Sequence, residues 1–132
     1  MQKATTFFMF DGKAEEAMNF YISLFDNSEI KSISRYTKDG PGKEGSVIHA
    51  IFAIEGQEFM CIDSFVKHSF TFTPAISIYI NCKTESEIDS VFEKLSSGGQ
   101  ILMPLNKYPF SDKFGWCNDK FGVSWQINLK AE

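Results

Sequence analysis

Apolar and polar residues along this chain follow two different periods, and each change of period delimits an element. Thr5 to Phe10 (TTFFMF) is an apolar run of strand length, and Asp11 after it carries a side chain suited to capping a helix. Ala14, Ala17, Met18, Tyr21, Ile22 and Phe25 then recur at helical spacing, which predicts an amphipathic helix burying one stripe. Glu15 and Glu16 in its first turn complement the helix dipole, and Asp26, Asn27 and Ser28 stop it. Glu29 to Tyr36 reads as a strand around Ile30 and Ile33. Lys38 to Gly45 (KDGPGKEG) is a loop, because the spacing of a P-loop is absent and no helical pattern follows. Val47 to Ile54 and Glu58 to Asp63 are strands joined by a hairpin turn at Glu55, Gly56 and Gln57.

Phe65 to Pro74 is a connector, and after it the order of elements starts again. Ala75 to Asn81 is a strand with Ile76, Ile78 and Ile80 on one face and Ser77, Tyr79 and Asn81 on the other. Thr84 with Glu87 matches a capping box, Ile88, Val91, Phe92 and Leu95 form a helical stripe, and Gly98 and Gly99 end that helix. Gln100 to Leu105 is a strand and Asn106 to Phe110 a loop. The stretch Phe110 to Asn128 contains the tetrapeptide Asp-Lys-Phe-Gly twice, at 112–115 and 119–122, each expected to be a turn leading into a strand. In the last strand Ser124, Gln126 and Asn128 point one way and Trp125, Ile127 and Leu129 the other, so the apolar set should face a helix.

The chain thus contains β-α-β-β-β twice, which predicts an α+β fold: a single domain over 1–132 built from modules 1–68 and 69–132. Each sheet would carry its helix on one face and turn the other inward, and the two would form a half-open, barrel-like cup.

Composition narrows the partners. With 43% apolar and 15% aromatic residues the chain can build a core, and its net charge of −4 has acids and bases interspersed, which argues against nucleic acid. No segment is long enough to span a bilayer and the N-terminus lacks the apolar core of a signal peptide, so a cytoplasmic protein without membrane partners is expected. Cys61, Cys82 and Cys117 are widely spaced and odd in number, as suits reduced, buried thiols.

The paired modules resemble the vicinal oxygen chelate superfamily, which includes glyoxalase I, extradiol dioxygenases, and bleomycin and fosfomycin resistance proteins. Phe10, Asp11 and Gly12, the run 14–17 (AEEA), Phe20 and Tyr21, Val47 to Ala50 (VIHA), Gly98 and Gly99, Trp116, and the run 119–126 (DKFGVSWQ) are similar to the PhnB-like group within it. Members of that group are often called 3-demethylubiquinone-9 3-methyltransferases. The resemblance implies a small-molecule cup, homodimers that complete cups across subunits, and in many relatives a divalent metal held by four ligands from the first and last strands of each module. Carried over by position, those ligands would be Thr5 or Thr6, Cys61 or a neighbour, Ala75 or Ser77, and Gln126. That set is degenerate, so no cofactor is predicted, although a divalent metal stays open. The Gly-rich strand-to-helix turn and parallel sheet of a usual S-adenosylmethionine site are not legible either.

Within the cup, His49 is the candidate catalytic residue, either a satisfied core histidine or a proton-transfer group. Asp63 is a turn residue or a group orienting that imidazole. Ser124 and Gln126 suit pocket-lining hydrogen-bonding groups, and Phe8, Tyr79 and Trp116 suit either packing or an aromatic pocket wall. Three functions remain: metal-free proton transfer on a bound organic molecule, sequestration of a ligand without chemistry, and a metal-dependent lyase or dioxygenase.

Overall fold

The structure, a computed structural model, describes residues 2–130. The chain forms two compact units that divide between His68 and Ser69. The first holds β1 (Thr6–Phe10), α1 (Ala14–Leu24), β2 (Glu29–Arg35), β3 (Val47–Ile54) and β4 (Gln57–Asp63). The second repeats the order with β5 (Ser77–Cys82), α2 (Glu85–Ser96), β6 (Gln100–Tyr108), β7 (Ser111–Asn118) and β8 (Ser124–Leu129). Each unit is a four-stranded mixed sheet, ordered β1-β4-β3-β2 or β5-β8-β7-β6, whose first and last strands pair in parallel. The α+β class follows directly. Among the described residues no helix is long and apolar enough to cross a membrane.

One face of each sheet is sealed by its helix. In the first unit α1 buries Ala14, Ala17, Met18 and Tyr21. Tyr21 lies 6.2 Å from the ring of Phe52, which stacks on Phe59 at 5.4 Å and on Phe8 at 6.4 Å. In the second, Ile88, Val91, Phe92 and Leu95 of α2 cover Cys117, Trp125 and Ile127, as the alternation in the last strand requires. Phe92 packs flat over Gly115, where a Cβ would come within 2.4 Å of the ring. Glycine there makes room for the aromatic.

The helices are started differently. Thr84 Oγ1 accepts the Glu87 N–H at 3.1 Å and Glu87 Oε1 accepts the Lys83 N–H at 2.9 Å, the expected reciprocal cap. Asp11 does not cap α1; Lys13 occupies the N-cap position without a side-chain bond. Instead the Ala14 N–H donates to Asp63 Oδ1 at 2.9 Å, because the parallel pairing of Phe10 with Asp63 sets that carboxylate at the helix start. The cap comes from a strand end 49 residues away.

Three expectations about strands are corrected. The first Asp-Lys-Phe-Gly copy is not a turn: it lies inside β7, paired to β8, while the second forms the β7–β8 turn with Gly122 at φ +92°. The expected loop after Leu105 continues as strand to Tyr108. Pro104 is accommodated because β6 is the sheet edge, where a missing N–H leaves no ladder bond broken. Ile76 lies before β5 and is 78% exposed, so only Ile78 and Ile80 of that triplet belong to the strand.

Candidate functional site

Opposite α2, the second sheet presents three cross-strand rows, since directly paired residues share a face. From β6 to β5 they read Gln100, Asn118, Ser124, Ser77; then Met103, Trp116, Gln126, Tyr79; then Asn106, Phe114, Asn128, Asn81. The pattern arises because β7 and β8 place their small or apolar alternate residues, Gly115, Cys117, Trp125 and Ile127, against the helix. The open face therefore receives every polar alternate of β8.

Hydrogen bonds hold this face in one arrangement. Trp116 Nε1–H donates to Ser124 Oγ at 2.8 Å, and Gln126 Nε2–H donates to Ser77 Oγ at 2.8 Å. Asn128 Nδ2–H donates to Asn81 Oδ1 at 3.0 Å, and its Oδ1 accepts from Ser111 Oγ. Gln126 Oε1 takes no donor from the described side chains, and the Ser77 hydroxyl keeps its own proton to give. Asn118 Oδ1 is shielded and also without a donor among the described residues. One end of the face is aromatic: Phe114 is 5.0 Å from Phe110, 5.9 Å from Tyr108 and 6.3 Å from Tyr79. Ser124, Gln126, Trp116 and Tyr79 are thus brought together, and Asn118, Phe114 and Asn128 join them. Asn118 was legible only once β7 was known to be continuous.

In the first unit the face opposite α1 carries His49. A bulge in β3 pairs Ser34 with His49 but Arg35 with Val47, leaving Ile48 between. Arg35 turns to α1 and ion-pairs Glu15, so Val47 follows it to the helix side and His49 does not share its face. The His49 ring lies 6.4 Å from Phe7, with Ile51 and Met60 paired across the neighbouring row, and makes no hydrogen bond among the described residues.

Two expected pocket residues fall elsewhere. Phe8 is buried on the helix side among Phe10, Phe52 and Phe59, and the open-face residue of β1 is Phe7. Asp63 also faces the helix side, with Oδ1 on Ala14 N–H and Oδ2 on Val47 N–H, each at 2.9 Å. It caps backbone and does not orient His49.

The donors at the metal positions do not fit a divalent ion. Cys61 lies on the helix side, where burial and then the Asp63 charge push its thiol up to about 12, so it does not offer a thiolate. Gln126 and Ser77 offer only neutral oxygens, and that of Ser77 already accepts the Gln126 Nε2–H. Among the described residues no three His, Cys, Asp or Glu side chains gather. Cys117, beside Asp119, is raised to about 12 by burial first and the carboxylate second, and all three cysteines are buried. A groove of about 520 Å³ between Asp11, Glu15, the loop 41–46 and Ser64 is a separate feature. Of the four carboxylates that line it, Asp63 is committed to backbone N–H groups and Glu15 to Arg35.

Comparison with known proteins places this geometry. The family model described as 3-demethylubiquinone-9 3-methyltransferase matches residues 2–128. A solved structure of a PhnB protein from Bacillus cereus superposes with a TM-score of 0.96 at 71% identity, covering 98% of this chain and 100% of that one. The fosfomycin resistance protein FosX from Listeria monocytogenes shares the fold, with a TM-score of 0.64 at 12% identity over 98% of this chain and 94% of its own. An uncharacterized protein of Mycobacterium bovis is 27% identical over 124 residues, covering 86% of this chain and 74% of that protein. A Mycobacterium tuberculosis counterpart matches to the same extent, and the chain spans 66% of its length. A family model that covers nearly every residue, over two β-α-β-β-β units of vicinal oxygen chelate type, establishes that the chain belongs to the PhnB-like family described as 3-demethylubiquinone-9 3-methyltransferase.

Proposed function

We propose that this protein binds a small organic molecule against the open face of the β5–β8 sheet, without a metal ion. The observation that supports this most is the fixed polar row around Gln126. A central strand of a sheet devotes its outward side chains to an ordered network of amides, hydroxyls and an indole, and one amide oxygen and one hydroxyl proton remain unspent. Such convergent polar groups between aromatic walls orient a ligand. FosX, which shares the fold, is by its name a fosfomycin resistance protein, so a small organic molecule suits this architecture. Methyl transfer, which the family description names, is not the activity proposed: both sheets are mixed, and the turn from β1 to α1, Asp11 to Lys13, holds one glycine, Gly12.

A thermal-shift screen of neutral and charged organic compounds, followed by native mass spectrometry, tests the proposal. Compounds that raise Tm should lose their effect in Gln126→Leu, since a ligand stabilises only the state that binds it. Hits that shift the Gln126→Leu protein equally would overturn it. A second reading, proton transfer by His49, is favoured by an imidazole that is half-buried beside Phe7 and makes no hydrogen bond among the described residues. A His49→Ala protein that turns over an identified substrate at the full rate would remove it.

A further inference from the structure

We propose that the ligand of the β5–β8 face is an uncharged, flat aromatic molecule carrying a hydrogen-bond donor next to an acceptor. This deepens the proposal above and rests on it. All twelve side chains of the three rows are uncharged. The four strands contain only Lys107, Asp112 and Lys113 as charged residues, all at the β6–β7 hairpin end and outside the rows. Lys113 is turned to α2, where Asp89 at 2.6 Å and Glu85 at 3.4 Å neutralise it. Asp119, after β7, is buried and spent on three donors. The rows therefore supply no charge of their own to compensate an ionised ligand, and desolvating an unpaired charge is far more costly than burying a satisfied neutral group.

The shape of the complement follows from the middle row. Gln126 lies between Trp116 and Tyr79 on the adjacent strands, which sets the two aromatic residues about 10 Å apart at two strand spacings. Trp116 is tied down by Ser124, whereas Tyr79 is half exposed. Gln126 Oε1, between them, is left to accept from a ligand, and the hydroxyl of Ser77, in the next row on the strand of Tyr79, is left to donate, neither being used within the described residues. A lactam or a phenol beside a carbonyl matches this pair, while a carboxylate, phosphonate or ammonium does not. A site built from neutral hydrogen-bonding groups discriminates strongly against an analogue that leaves one of them unpaired.

The test titrates the protein with three probes of one size: carbostyril, a neutral lactam; N-methylcarbostyril, which lacks the donor; and quinaldate, an anion. Binding is read from the Trp116 indole N–H signal in proton–nitrogen spectra, with the buried Trp125 indole, bonded to Asp119, as internal reference. Carbostyril should bind at least tenfold more tightly than either analogue, and Gln126→Glu and Tyr79→Ala should each weaken it tenfold or more. Quinaldate binding as tightly as carbostyril would overturn the charge assignment, and equal binding of N-methylcarbostyril would overturn the donor assignment. Either result leaves the face as a ligand site. No response of the Trp116 signal to any probe at millimolar concentration would overturn the ligand site itself, and the inference with it.

Discussion

The turn at Asp119 offers the sharpest test of how this fold is held. Asp119 is 3% exposed; its Oδ1 accepts the N–H groups of Phe121 at 2.8 Å and Val123 at 3.0 Å, and its Oδ2 accepts Trp125 Nε1–H at 2.9 Å. Asp119→Asn keeps one oxygen for the two backbone donors but turns an N–H toward the indole N–H. The lost charge-assisted bond and the stranded buried donor should together cost about 2–4 kcal/mol. A flip of the amide would strand the two backbone donors instead, so the cost does not vanish. Trp125→Phe removes the indole donor, and in that background Asp119→Asn should cost about 2 kcal/mol less than it does alone. Asp112→Asn, in the exposed twin tetrapeptide, should change stability by no more than about 0.5 kcal/mol. Urea unfolding followed by far-ultraviolet circular dichroism reads all four proteins. Additivity of Asp119→Asn and Trp125→Phe within about 0.5 kcal/mol would refute the shared bond as the reason Asp119 is buried.

Asp63→Ala should cost about 2–4 kcal/mol by stranding the Ala14 and Val47 N–H groups, and hydrogen exchange at those two amides should accelerate more than at neighbouring helix positions. Gly115→Ala should destabilise by about 1–3 kcal/mol because the new Cβ meets the Phe92 ring, and Phe92→Leu should recover part of that loss. The thiols of Cys61 and Cys117 ionise near 9 in the unfolded chain and near 12 in the folded one, so the folded state binds their protons more tightly. Their contribution is complete below pH 9 and is lost as pH rises from 9 toward 12; a Cys61→Ala, Cys117→Ala protein should show a flatter alkaline stability curve. At neutral pH the native protein should leave both thiols unreacted toward Ellman's reagent, and rapid labelling would contradict their burial.

Local pattern made the elements legible, and long-range geometry decided what it left open. The α2 stripe of Ile88, Val91, Phe92 and Leu95, the Thr84 cap and the two faces of β8 all follow from spacing alone, because each depends on residues within a few positions of one another. The α1 cap is a different matter: Asp11 is the local candidate, but only the parallel pairing of β1 with β4 reveals that Asp63 takes the role. The same holds for Phe8. A run such as TTFFMF has apolar residues at both parities, so alternation does not say which of Phe7 and Phe8 faces the helix until the register with Cys61 and Phe59 is known.

Identical tetrapeptides with opposite conformations show where such local inference stops. Asp112 to Gly115 and Asp119 to Gly122 share every residue, so propensity assigns them alike. What separates them is what each meets. Gly115 pairs with Ile127 and lies under Phe92, so its lack of a side chain serves packing and its backbone stays extended. Gly122 adopts φ +92°, and the preceding Asp119 is bonded by the two backbone N–H groups that the turn itself brings inward. The consequence reaches the candidate site. With the first copy in the strand, β7 runs unbroken to Asn118 and supplies Phe114, Trp116 and Asn118 to the open face; a turn at 112–115 would have taken Phe114 out of the third row. The candidate face thus depends on a tertiary contact, Phe92 over Gly115, made on the opposite side of the same sheet.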